Sequence, residues 1–525
     1  MFYHRFCLIS CLLSLLIASE GARYAHFSEH YVSDVGSFAS NGNIVYLGAK
    51  NKILKLHFAR RVFIAQFEVL SSECPPGNEE CSDYTQHVLI ADGATFQVNA
   101  DRVLVTCGTH GGKPRCVMRD LGLLKSYMEL PSLPHVATSS PYLKSLAKVH
   151  DQSFYYASYL TGDTSHPIVG RYNKFGQLTT KVDPRWFNHP QYVALQPIDH
   201  HMYIFYKELT LGTPSPILQS RVARVCLKDP GGNRFSLRNN FRTFTKSSIT
   251  CMSRSTMAGL PDYTYNFIDG VAVPHKTLAD VHQKDRTLYA IFSNIPNGSC
   301  VASAICSYNI KSMDASFQNE EFVQVDHLGM AVNHKISESY GTCENPRSLY
   351  NAQRYNLVKE PIQQSTEAPV YAGGCRKYTA LAADRENGVD VLFVATDDME
   401  FMKVAINKGK AYLVDNFKIR RESSPVTKIE KHPADQYVLA SGPNYLLRIP
   451  IAQCRRFSDC NSCVGARDPY CGWCPIYNAC VATTACPKSI TNFGEEQETA
   501  KLCVGFRVIT NNTRRAKKIR RRKKK

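Results

Sequence analysis

Residues 44–58 read IVYLGAKNKILKLHF. Two runs rich in β-branched, aromatic and aliphatic residues, starting at Ile44 and at Ile53, flank a short stretch containing Gly48 and Asn51. That pattern is two strands joined by a turn. It recurs at 103–118, 154–172, 202–226, 288–310, 391–406 and 437–451, and helical periodicity is weak throughout. The pairs start 46 to 103 residues apart. Such spacing matches the blade rhythm of a β-propeller and is too wide and uneven for a sandwich. The expected fold is all-β, a seven-bladed propeller, with several unrelated β domains as the alternative. The two longest gaps follow Met202 and Leu288, so insertions are expected there.

The chain has 525 residues, with 63 Lys+Arg against 45 Asp+Glu, a formal charge of +18. Hydrophobic residues at 44% exclude a wholly disordered chain. Glycine and proline show no period, which excludes a fibrous repeat. Residues 514–525 hold ten Lys/Arg and no acid, so the preceding 513 residues carry only +8.

Residues 1–22 read MFYHRFCLISCLLSLLIASEGA. A basic residue, an apolar run and then small residues form the pattern of a secretory signal peptide, assigned to 1–21. Its removal takes away Cys7 and Cys11 and leaves 18 cysteines, an even number that suits disulfides in an oxidising compartment. No other apolar stretch is long enough to cross a bilayer. The expected location is secreted and extracellular. Asn297 and Asn511 head glycosylation sequons consistent with that route.

Composition shifts at Cys454. Eight cysteines fall in the 50 residues from Cys454 to Cys503. A segment so small buries little core and needs covalent staples. Its two Cys-x-x-Cys pairs, Cys460/Cys463 and Cys471/Cys474, also suit zinc, but the oxidising route favours four disulfides. No catalytic constellation is found. The Gly108–Pro114 stretch lacks Walker spacing and reads as a hairpin turn, and Asp397-Asp398 reads as a turn rather than a paired-carboxylate site. No cofactor, metal or nucleic-acid partner is expected. Trp186 and Trp473, the only tryptophans, read as core, with Trp186 anchoring a loop.

Several segments between about residues 40 and 503 resemble semaphorins. They are Glu80-Cys81-Ser82-Asp83-Tyr84 with Cys74 upstream, Val105-Thr106-Cys107-Gly108-Thr109 with Cys116, and Asp183-Pro184-Arg185-Trp186-Phe187-Asn188. Tyr203–Glu208 and Gly341-Thr342-Cys343 also fit. Arg221-Val222-Ala223-Arg224-Val225-Cys226, followed by Asp229 and Gly231-Gly232, is the most specific. Arg467–Cys474 (RDPYCGWC) is similar to the cysteine-rich knob shared by plexins, semaphorins and integrins.

The resemblance implies a sema propeller over 22–452, a PSI knob over 453–504 and a basic tail over 505–525. It implies the disulfides Cys74–Cys81, Cys107–Cys116, Cys226–Cys343, Cys251–Cys306, Cys454–Cys471, Cys460–Cys503, Cys463–Cys480 and Cys474–Cys486. Cys300 and Cys375 are left over, to pair with each other or between chains. The implied function is that of a secreted ligand for plexin receptors, acting as a homodimer, with contacts on the third and fourth blades. Arg171, Arg185 and Lys207 are the candidate receptor contacts. The basic tail, with Arg514, Arg515, Lys517, Lys518, Arg520, Arg521 and Arg522, suits heparan sulfate or other polyanions, or neuropilin after processing. Most semaphorins continue into further modules after the knob, so a short secreted form or a truncated sequence is expected. A truncated plexin-like receptor ectodomain that binds semaphorins is the competing reading.

Overall fold

The computed structural model describes residues 24–503 except 28–33, 60–61, 70–82, 111–112, 131–132, 134, 141, 234–236, 256–261, 275–285, 295–300, 326–329, 337–341, 347, 421, 433–434, 487 and 493–501. The expected signal peptide, Cys74, Cys81, Asn297, Cys300, Asn511 and the basic tail lie outside these residues.

Seven sheets follow one another along the chain, each built on four antiparallel strands, and each is a blade. Blade 1 spans 37–69, blade 2 spans 85–129, blade 3 spans 146–179 and blade 4 spans 191–248. Blade 5 begins at 267, blade 6 spans 378–418, and blade 7 spans 428–450. The first strands of successive blades touch one another from blade 1 to blade 7. Lys428 closes the ring by donating to Ser37 Oγ and the Phe38 carbonyl. Blade 7 takes its fourth, outermost strand from the other end of the chain: Ala25–Phe27 pairs with the strand Tyr445–Pro450. The first and last strands of the propeller thus meet in one sheet, which leaves the ring no open seam.

Each strand pair legible in the sequence is the middle pair of a four-stranded blade. These middle strands are buried on both faces. Ser153–Tyr159 and Val389–Thr396 are buried at every position, which is why they read as dense β-branched and aromatic runs. Between blades lie seven apolar clusters, one per seam. Trp186, Tyr155, Met202 and Tyr206 fill the seam between blades 3 and 4, and Phe27, Phe38, Leu54 and Tyr437 fill that between blades 7 and 1.

The expected insertions are present. The hairpin Cys251–Ser253/Tyr263–Tyr265 follows blade 4. A longer excursion leaves blade 5 after Asn309 and returns as its fourth strand, Tyr371–Ala372. On the way, Glu321–Val325, Ala331–Lys335 and Leu357–Val358 add to blade 4, extending its sheet to seven strands.

The cysteine-rich knob begins at Cys454. It holds the short helix Cys460–Gly465, capped by Asp459 and Ser462, and the hairpin Cys471–Cys474/Ala479–Ala482. Its junction with blades 6 and 7 is polar and buried. Lys403 Nζ lies 2.6 Å from Asp468 Oδ2 and 2.6 Å from the Ile451 carbonyl. Tyr470 donates its hydroxyl to Asp384 (2.7 Å), which also pairs with Lys431 at 3.1 Å.

Candidate functional site

Three of the sequence motifs converge at the seam of blades 3 and 4. In the segment 183–188, the Asp183 side chain accepts from the Arg185 amide (2.9 Å), and its carbonyl accepts from the Trp186 amide (2.8 Å). This turn sends Arg185 outward and Trp186 inward. Trp186 is fully buried and stacks on Phe244 with centroids 4.6 Å apart. Asn188 donates its amide to Glu208 (3.0 Å) and its side chain to the Leu209 carbonyl (3.0 Å). Glu208, buried, also receives Lys246 Nζ at 2.7 Å and faces Arg221 Nε at 3.4 Å. Burial pushes the Lys246 ammonium toward neutrality, and the Glu208 charge pulls it back.

The motif around Cys226 is a brace. Asp229 accepts from the amides of Gly231 (2.7 Å), Arg242 (3.0 Å) and Thr243 (2.8 Å), which folds the loop after blade 4's third strand. Gly231 is required there: its φ is +75°, and an added Cβ would stand 2.8 Å from Leu178 Cδ2. Arg224 is buried against Asp314 and over the Phe317 ring.

Of the three candidate contact residues, two face inward. Arg171 is buried and donates to the carbonyls of Leu227 (2.8 Å) and Asp229 (2.9 Å), tying blade 3 to the loop after blade 4. Lys207 pairs with Asp269 at 2.9 Å, with its side chain 16% exposed. Both charges are engaged within the chain. Arg185 is half exposed at 48% and forms a fork onto Asp183.

Beside Arg185 lies a narrow cleft, open to solvent. Arg185, Arg221, Lys246 and Arg354 supply positive charge, Glu208 negative charge, and Leu211, Val323, Val325 and Leu357 apolar wall. In the sequence, Arg221 and Glu208 stand out only as parts of motifs that carry the family resemblance, and Lys246 and Arg354 do not stand out at all. No local motif marks those two: Lys246 sits on blade 4's own fourth strand, Thr245–Ser248, and Arg354 arrives on the helix Leu349–Arg354 of blade 5's insertion.

The structure joins Cys107–Cys116, Cys226–Cys343, Cys251–Cys306, Cys454–Cys471, Cys460–Cys503, Cys463–Cys480 and Cys474–Cys486. Cys375 is also disulfide-bonded. Cys74–Cys81 falls outside the described residues. Among the described residues, His201, Cys226 and Cys343 cluster closely enough to hold a metal ion, but their two sulfurs are bonded to each other. Asp397 and Asp398 occupy a turn.

Residues 268–432 match the family model of the Sema domain, and 453–504 that of the PSI domain, or plexin repeat. The chain carries a Sema domain followed by a PSI domain. Among curated relatives, human Semaphorin-5B is 26% identical over 468 residues, covering 82% of this chain and 38% of that protein. Mouse Semaphorin-5A is 26% identical over 474 residues, covering 83% and 41%. The chain thus spans about two fifths of the length of these semaphorins. Among solved structures, a chain of Drosophila Plexin A in complex with Semaphorin 1b has a TM-score of 0.74 at 19% identity, covering 91% of this chain and 98% of that one. The plexin A4 extracellular region has a TM-score of 0.67 at 15% identity, covering 89% and 51%. These likenesses place the Sema domain in the propeller fold. No helix among the described residues is long and apolar enough to cross a membrane.

Proposed function

We propose that this Sema–PSI chain is a secreted signalling ligand that docks on a plexin receptor, without catalysis, through the outer edge of blades 3 and 4. Its similarity to semaphorins over more than four fifths of its length carries the reading. The likeness to a chain of a plexin–semaphorin complex supports it. Pairing of two copies lets one ligand gather two receptors, which raises avidity without new contacts per site. Arg185 is the contact residue retained from the original three, because its guanidinium reaches the surface.

A cell-surface panel tests this reading. Purified chain from culture medium is applied to cells displaying single plexins or neuropilins, with light scattering and a non-reducing gel for the dimer. Saturable binding to a plexin is expected, weakened by Arg185→Glu. Binding to no plexin, or capture only by semaphorins, would replace this reading with the receptor-like one, which the plexin A4 likeness favours.

The basic tail is proposed to hold the ligand on sulfated polyanions by counterion release. On a heparin column the full chain should elute at higher salt than a chain ending at Asn512. Equal elution removes the tail from this role. Glycans on Asn297 and Asn511 belong to the same secreted route and are read by mass before and after glycosidase.

A further inference from the structure

The cleft beside Arg185 holds more positive charge than the protein itself uses. Its cations are Arg185, Arg221, Lys246 and Arg354. Glu208 faces Arg221 and Lys246, and Asp183 is bound by Arg185. Four formal cations against two carboxylates leave a surplus of between one and two positive charges, because burial disfavours the charge on Lys246. The surplus is plainest at Arg354, which is exposed: its guanidinium donates to the Tyr350 hydroxyl and lies 4.2 Å over that ring. Among the described residues it makes no ion pair: its partner, the Tyr350 hydroxyl, is neutral. The walls are apolar and half-buried, formed by Leu211, Val323, Val325 and Leu357.

This combination selects a ligand class. A guanidinium fork matches a carboxylate edge to edge, and low-dielectric walls strengthen that pairing. Apolar walls favour an anion with a hydrocarbon stem over bare sulfate or phosphate, whose every face needs a polar partner. The cleft is open to solvent and has room within it for little more than a carboxylate head and the start of its stem, so it takes the tip of one side chain or of a small diacid, not a polysaccharide strand. We propose that the cleft binds a carboxylate carried on a short apolar stem, the chemistry shared by a glutamate side chain on a partner's loop and a free dicarboxylic acid. The proposal goes beyond receptor docking and does not depend on it.

The test uses the full chain and disodium glutarate as probe, at constant ionic strength, read by calorimetry and by the rise in Tm that selective binding to the folded state produces. Glutaramide is the neutral control and sodium sulfate the stemless anion. Saturable glutarate binding with a Kd on the order of 1 mM is expected, with no response to glutaramide and a weaker one to sulfate. Arg354→Gln, at an exposed position, should fold normally and bind glutarate about tenfold more weakly, the cost of one charged hydrogen-bonding partner. Arg185→Gln should weaken it as well. The proposal is overturned if glutarate gives no saturable signal, if both variants bind like the parent, or if sulfate binds as tightly as glutarate. Saturating glutarate in the plexin panel separates the sources: lost receptor binding identifies a receptor side chain as the occupant, and unchanged binding identifies a free acid. A chain that binds glutarate but no plexin keeps this proposal while the docking reading falls.

Discussion

Seven apolar clusters fill the seams of the propeller, whereas the knob has one small cluster in which cysteines outnumber the apolar side chains Val464 and Trp473. Four of the seven disulfides among the described residues lie in the knob. Of the other three, Cys107–Cys116 bridges directly paired strands of blade 2, and two fasten insertions to the ring. A large ring buries enough surface at its seams to hold its blades, with sulfur added where a loop must be tied down. A segment of about fifty residues cannot, so its fold depends on the bridges.

The largest effect should come from cutting matched bridges in the two regions. Cys463→Ala with Cys480→Ala should unfold the knob, since a native disulfide in a small domain is worth about 2–5 kcal/mol. Trypsin should then cleave after Arg467 faster than in the parent. Cys107→Ala with Cys116→Ala should leave blade 2 intact, because the closed loop is short and the strands are held by their ladder and seam. Equal protease sensitivity of the two variants breaks the comparison.

Next comes the joint between the regions. Asp468→Ala leaves the Lys403 ammonium buried beside the Ile451 carbonyl and the Tyr470 ring. Removing one partner of a buried pair costs about 3–5 kcal/mol. Denaturant melts should show the knob separating first, with its disulfides still intact. Asp468→Leu with Lys403→Met should recover much of the loss, because the uncompensated charge is gone. A double variant as unstable as the single one would assign the effect to packing rather than charge.

How much of this was legible follows from burial. The middle strands of every blade were readable because both faces are apolar. The innermost and outermost strands were not. Lys428–Glu430 (KIE) lines the central channel, and Gly176–Thr179 (GQLT) lies at an edge with no buried residue. Nothing in AHF at Ala25–Phe27 announces that it completes the last blade, since its partner strand lies more than four hundred residues later. Trp186 was readable as a core anchor, and its stack on Phe244 gives the reason. Arg171 and Lys207 are charged residues of blades 3 and 4, and sequence carries no sign of their inward aim: Arg171 faces two carbonyls supplied more than fifty residues later. The cleft was hidden for the same reason, because one of its walls arrives from blade 5's insertion.

Acid should separate the regions again, more gently. Burial is the chief cause that lowers the His87 pKa to about 3 and that of His201 to about 4. His87 contacts Ser145 and feels Lys428, and His201 feels Arg224, Asp314, His200 and Asp199. An unfolded histidine takes up a proton near pH 6.5. Between that pH and the folded values, unfolding therefore binds protons, and stability falls as pH falls, by up to about 1.4 kcal/mol per pH unit for each histidine. The knob sequence, 453–504, has no histidine. Melts at pH 7 and pH 5.5 should shift the propeller transition downward and leave that of the knob in place, and His87→Gln should reduce the shift. A knob that softens with the propeller over this range would tie the two into one cooperative unit.

The smallest effect belongs to an ion pair of ideal distance in the wrong place. Lys359 Nζ lies 2.8 Å from Glu321 Oε2, close to the 2.6 Å of Lys403 and Asp468. The difference is exposure: 40% and 43% for the surface side chains, 8% and 3% for those at the joint. Water solvates both surface charges when the pair opens, and salt screens what attraction remains. Lys359→Ala should therefore leave Tm unchanged within error, at low salt and at physiological salt alike. A fall approaching that of Asp468→Ala would mean that distance, not burial, sets the worth of a charge pair in this protein, and the case for the joint as a distinct structural element would fall with it.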